Sequence, residues 1–90
     1  MLFMVIERFK NRDAIPVYRR YREEGRMMPD GLKYVDSWVE PDLGRCFQLM
    51  ECDDPQLLQR WTNHWQDLVD FEIVSVVRSN EAAAAIASQL

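Results

Sequence analysis

Apolar side chains crowd the start of the chain. Leu2, Phe3, Met4, Val5, Ile6 and Phe9 are interrupted only by Glu7 and Arg8, and the turn and cap residues Lys10, Asn11, Arg12 and Asp13 follow. A short apolar run closed by such a cluster predicts a buried strand with two apolar faces. Asp13 then caps a helix in which Ala14, Val17, Tyr18, Tyr21, Gly25 and Met28 recur at three- and four-residue steps, until Pro29-Asp30-Gly31 stops it. Across residues 32–40 the period changes to two. Leu32, Tyr34, Asp36, Trp38 and Glu40 fall on one face, and Lys33, Val35, Ser37 and Val39 on the other. A turn at 41–44 leads into a second strand at 45–52, with Phe47 and Leu49 on one side and Cys46, Gln48 and Met50 on the other. Asp53, Asp54 and Pro55 open a second helix, whose Leu57, Leu58, Trp61, Trp65 and Leu68 fall within a sector of about 100°. A last strand at 71–77 precedes a short alanine-rich helix capped by Ser79-Asn80-Glu81 and running to Ala87.

Two strand-helix-strand units joined by a hairpin predict an α+β, ferredoxin-like βαββαβ fold. Its four-stranded antiparallel sheet carries both main helices on one face, with the tail helix as an addition. Right-handed crossovers place the first and third strands at the centre. Ninety residues make one domain, spanning 1–90. Two helices on one face leave the apolar residues of the other without cover, and a chain this short has a small core. A homodimer is therefore expected, with Tyr34 and Trp38 at an interface of more than about 1,000 Å².

Charge and composition narrow the partners. Eleven Lys and Arg against fifteen Asp and Glu give a net charge of −4, the wrong sign for neutralising phosphates. The 45–52 strand has one aromatic and lacks the basic and aromatic stretch of RNA-recognition modules, so no nucleic-acid partner is expected. No segment spans a membrane or reads as an export signal, which points to a cytoplasmic protein without a membrane partner. Cys46 and Cys52 lie too far apart on one strand to bridge and are read as free thiols. With one histidine, no paired cysteines at ligand spacing and no Gly-rich phosphate loop, neither a metal nor a cofactor is expected.

The candidate chemistry is sparse. His64, the only histidine, lies at the margin of the second helix's apolar sector. There it either lines a helix-to-sheet pocket as acid, base or hydrogen-bond donor, or stays a boundary histidine bonded to a carbonyl or water. Trp38, Trp61 and Trp65, with Tyr18, Tyr21 and Tyr34, offer flat amphipathic walls for a small apolar or aromatic ligand, and serve more often as core or interface. The basic residues of the first third pair with Glu23 and Glu24 at helical spacing and read as a solvated face. Asp36 with Glu40, and Glu7 with Glu51, are the pairs of carboxylates that neighbouring strands could bring together.

The stretches MLFMVIERFKN, PVYRRYREEGRMMPDGLKYVDSWVE and RCFQLMECDDPQLLQRWTNHWQDLVDFEIVSVV resemble the DUF3303 family of small bacterial proteins of uncharacterised function, over the chain up to about Val77. Such proteins resemble in turn the dimeric α/β-barrel superfamily, in which two ferredoxin-like subunits pack their open sheet faces together. That likeness implies fold and dimer. The superfamily includes cofactor-independent monooxygenases, isomerases, haem proteins and stress-response proteins, but none of their catalytic motifs is matched here. The resemblance leaves open a ligand-binding protein, an enzyme of monooxygenase or isomerase type, and a dimerisation module without chemistry.

Overall fold

A computed structural model describes residues 1–90. The sheet is built from β1 (Leu2–Phe9), β2 (Lys33–Val39), β3 (Arg45–Glu51) and β4 (Val69–Val76), in the order β2-β3-β1-β4 with every neighbouring pair antiparallel. The helices are α1 (Ile15–Glu24), α2 (Gln56–Thr62) and α3 (Ser79–Ile86), with single 3₁₀ turns at Lys10–Arg12 and Ala87–Gln89. This is the ferredoxin-like arrangement, with the first and third strands central as right-handed crossovers require.

Strand register sorts the side chains into two faces. Phe3, Val5, Glu7 and Phe9 of β1 stand level with Met50, Gln48 and Cys46 of β3 and with Val69, Phe71 and Ile73 of β4. The core forms on this face. Val5 and Met50 are fully buried, and Val17, Leu58, Trp61 and Trp65 close over them from the helical side. The other face carries Leu2, Met4, Ile6, Phe47, Leu49, Val74, Val76 and Trp38, of which Trp38 is 52% exposed.

β2 departs from the even alternation expected of it. Tyr34 pairs with Met50, but Asp36 pairs with Leu49, so Val35 is an extra residue, a β-bulge that reverses the parity of everything after it. Tyr34, Ser37 and Val39 therefore share the helix-covered face, while Trp38 pairs with Phe47 on the open one. Tyr34 and Trp38, expected side by side, lie on opposite sides of the sheet.

Both main helices are shorter than their periodicities. α1 ends at Glu24 because Gly25 takes φ 69 and ψ −160, a conformation open in practice only to glycine, while its N–H bonds the Tyr21 carbonyl at 2.8 Å. α2 ends at Thr62. Beyond it His64, Trp65 and Leu68 donate to carbonyls three residues back, so the backbone advances in tighter turns than an α-helix. β4 correspondingly begins at Val69, earlier than expected.

Residues 78–90 are exposed throughout, so α3 buries nothing of the open face. The Cα radius of gyration is 15.0 Å, against about 12 Å for a compact chain of this length, and the longest dimension is 49 Å. No helix is long and apolar enough to cross a membrane.

Candidate functional site

Two tryptophans form the back wall of a cavity between the helices and the sheet. Trp61, on the last turn of α2, and Trp65, one tight turn later, donate their indole N–H groups to the same acceptor, the Arg26 carbonyl, at 2.9 and 3.1 Å. That carbonyl is presented by a strained corner, with Gly25 before it and Met27 after it both at positive φ (69° and 59°). Arg20 holds Trp65 from the other side. Its guanidinium lies 5.6 Å from the ring centroid and grips both oxygens of Asp67 at 2.8 and 2.7 Å, with a further bond to the His64 carbonyl at 2.9 Å. The Arg20 guanidinium holds the Asp67 carboxyl down at about 2.

The cavity has a volume of about 170 Å³. Apolar and aromatic walls come from Phe9, Val17, Tyr18, Tyr21, Val39, Trp61 and Trp65, and polar groups from Glu7, Arg26, Ser37, Cys46 and Gln48. A cavity of roughly 150 Å³ is known to hold benzene, so this one suits a single ring.

Its unusual member is Glu7. The residue is 5% exposed, deep in a region where charge is costly, and no cation is close enough to form a salt bridge with it. A chain of donors reaches it instead. Arg26 Nε–H donates to Gln48 Oε1 at 3.3 Å, and Gln48 Nε2–H donates to Glu7 Oε2. Arginine can only donate, so the amide must turn its oxygen to Arg26 and its N–H to Glu7. The Arg26 guanidinium is itself stacked on Tyr34, 3.8 Å from the ring centroid, and donates to the Tyr21 hydroxyl at 3.1 Å. Burial pushes the Glu7 carboxyl up from its ordinary value, and the hydrogen bonds from Gln48 and Cys46 and the charge of Arg26 pull against it. Cys46, beside it, is pushed up to about 12 by burial and then by the Glu7 charge, so its thiol stays protonated and is no nucleophile.

Of the residues singled out by sequence, Trp61, Trp65, Tyr18 and Tyr21 line this cavity together. Tyr34 is half-buried and adjoins it through its hydroxyl, 2.5 Å from Ser37 Oγ. Trp38 lies on the open face, across the sheet. His64 is exposed and outside the lining: α2 ends at Thr62, so the helical spacing that would direct its side chain toward the sheet stops short of it. Glu7 and Glu51 do not meet, since Glu7 stands between Cys46 and Phe71 while Glu51 pairs with Leu2 and Lys33. Glu40 is held by Arg45 at 2.7 Å. Sequence reasoning missed Glu7 with Gln48, although a lone acid within the apolar run 2–9 and a lone glutamine on the inward side of 45–52 were its signal. No three His, Cys, Asp or Glu side chains converge to hold a metal ion.

Fold and site together define a ferredoxin-like α+β domain with a one-ring aromatic cavity and a buried carboxyl at its floor. The chain belongs to the family described as Domain of unknown function (DUF3303), whose model matches residues 1–90. No curated protein and no solved structure matches it.

Proposed function

We propose that this protein binds a small apolar or aromatic molecule, about one ring in size, in the cavity between α1, α2 and the sheet, and that it does so as a homodimer joined through its open sheet faces. The observation that carries the binding reading is Glu7. A carboxyl that is 5% exposed on an aromatic-walled cavity lowers stability unless something uses it, and such groups concentrate at functional sites. Tryptophan fluorescence, with Trp61 and Trp65 in the wall, is the readout. Titration with toluene, phenol, benzoate and benzylamine is expected to give saturable quenching by at least one, abolished in Val17→Phe, which fills the cavity. A folded protein that responds to none of the four overturns the reading.

The apolar open face supports the dimer. Met4, Ile6, Phe47, Leu49, Val74 and Trp38 form one contiguous surface that the exposed α3 leaves uncovered. Sedimentation equilibrium is expected to give a dimer at tens of micromolar and a monomer for Phe47→Glu. A wild-type monomer overturns it. The same face favours a second reading, a dimerisation module that takes no ligand, which is the outcome if the protein dimerises but the four titrations stay flat.

A further inference from the structure

Resting on the reading that the cavity takes a one-ring molecule, we infer that this molecule is a neutral phenol, whose hydroxyl donates a hydrogen bond to the free oxygen of Glu7. The inference comes from accounting for donors and acceptors around the carboxyl. Glu7 Oε2 is taken by Gln48 Nε2–H, and the direction of that bond is fixed by Arg26 behind it. Glu7 Oε1 takes no N–H or O–H from the protein, and the Cys46 thiol that also hydrogen-bonds the carboxyl is a weak donor. No sealed side-chain nitrogen or oxygen is left without a partner anywhere in the chain, so Oε1 is not walled off, and the space Glu7 borders is the cavity. The cavity therefore offers one carboxyl oxygen not taken by Gln48; burial raises the carboxyl's pKa, while Gln48, Cys46 and Arg26 pull toward the ionised form, in which that oxygen can only accept.

Those groups are the Gln48 amide and Cys46 thiol from β3, the Tyr18 hydroxyl from α1 and the Arg26 guanidinium from the corner after α1. Gln48 and Arg26 present N–H or positive charge, and Cys46 presents a thiol that stays protonated. All three favour Glu7 as an acceptor, and the missing element is a further donor in the cavity itself.

Charge decides between the kinds of donor. Arg26 and Glu7 both line the space and cancel, so neither a ring carboxylate nor a ring ammonium gains a net counter-charge there. A carboxylate would meet Glu7, and an ammonium would meet Arg26. A neutral hydroxyl avoids both penalties, and its ring matches walls of Trp61, Trp65, Phe9 and Tyr18. A site with an unpaired buried acceptor rejects an analogue lacking the donor more strongly than one lacking a methyl group, because the acceptor then stays unpaired.

The test compares phenol with toluene, which has the same shape and no hydroxyl. In the wild type, phenol is expected to bind at least about tenfold more tightly than toluene, the scale of one hydrogen bond to a charged group. Glu7→Gln is expected to exchange a preference for a donor for a preference for an acceptor, read by phenol against anisole rather than toluene. In this variant Gln48 Nε2–H takes the new amide's oxygen and leaves its NH₂ facing the cavity, so anisole, an acceptor without a donor, gains on phenol. Equal wild-type affinity for phenol and toluene overturns the inference while leaving the one-ring reading standing. Benzoate or benzylamine binding more tightly than phenol overturns it in favour of a charged ligand. Retention in Glu7→Gln of the wild-type ratio of phenol to anisole affinity also overturns it. If none of these compounds binds, the one-ring reading has failed and the inference with it. The wild-type comparison stands even if the variant does not fold.

Discussion

Met50 and Leu49 are consecutive residues of β3, similar in size and apolar character, yet they live in different surroundings. Met50 faces the helices and is fully buried under Trp61 and Leu58, whereas Leu49 faces the open side of the sheet and is only half-buried. The same contrast runs through the sheet. On the covered face, apolar residues form the core and one acid, Glu7, interrupts it beside a cavity. On the open face, apolar residues from all four strands end at solvent, with charges such as Arg8, Arg45, Glu51 and Glu72 around them. One face is complete within the chain, and any chemistry it holds is the chain's own. The other is a surface whose contribution to stability depends on what covers it.

The largest expected effect tests the covered face. Met50→Ala is expected to cost about 2–5 kcal/mol in urea unfolding, the range for emptying a packed site, whereas Leu49→Ala is expected to cost about 1 kcal/mol at concentrations where the chain is monomeric. If a second copy covers the open face, the Leu49→Ala cost grows with protein concentration and the Met50→Ala cost grows less. Equal costs at every concentration would erase the distinction between the faces.

Next in size is Gly25→Ala, at the corner that presents the Arg26 carbonyl to both tryptophans. A Cβ there meets nothing within 4 Å, so its expected cost of about 1–3 kcal/mol is backbone strain alone. The tryptophan emission spectrum, which senses the lost anchoring of Trp61 and Trp65, checks this alongside the unfolding curve.

Glu7→Gln is expected to stabilise the covered face at neutral pH. The Glu7 pKa is raised on folding, so its protonated form favours the fold. That contribution is fully present below the ordinary 4.5 and is lost as pH rises through the folded value. The variant should therefore unfold at higher urea than wild type at pH 7, and the gap should close toward pH 4. A gap that widens on acidification would show the opposite sign.

The smallest effect belongs to the exposed ion pair that braces Trp65. Asp67 is lowered to about 2 from 3.8, so its stabilisation is present above 3.8 and is lost as pH falls toward 2. Asp67→Asn should flatten the acid limb of the stability curve in that window, and salt should weaken the wild-type effect.

Much of this was readable from residue order. The six main elements, the central places of the first and third strands, the two sides of the 45–52 strand and the common wall of Trp61 and Trp65 follow from periodicity and handedness, which act over a few residues or apply to every chain. The parity of β2 did not follow, because the extra residue Val35 leaves its alternation of side chains unchanged and becomes a bulge only against β3. The place of His64 did not follow either. α2 ends at Thr62, so the helical spacing that would set its direction stops short of it, and Arg20 donates to its carbonyl. Glu7 was visible as an acid in an apolar strand, but its partners were not. Gln48 is 41 residues away and Arg26 lies on a corner fixed by Gly25, so register and packing bring them together. Local pattern determined which residues turn inward; only the tertiary structure decided which of them meet, because contact between distant segments depends on geometry that no stretch of sequence carries alone.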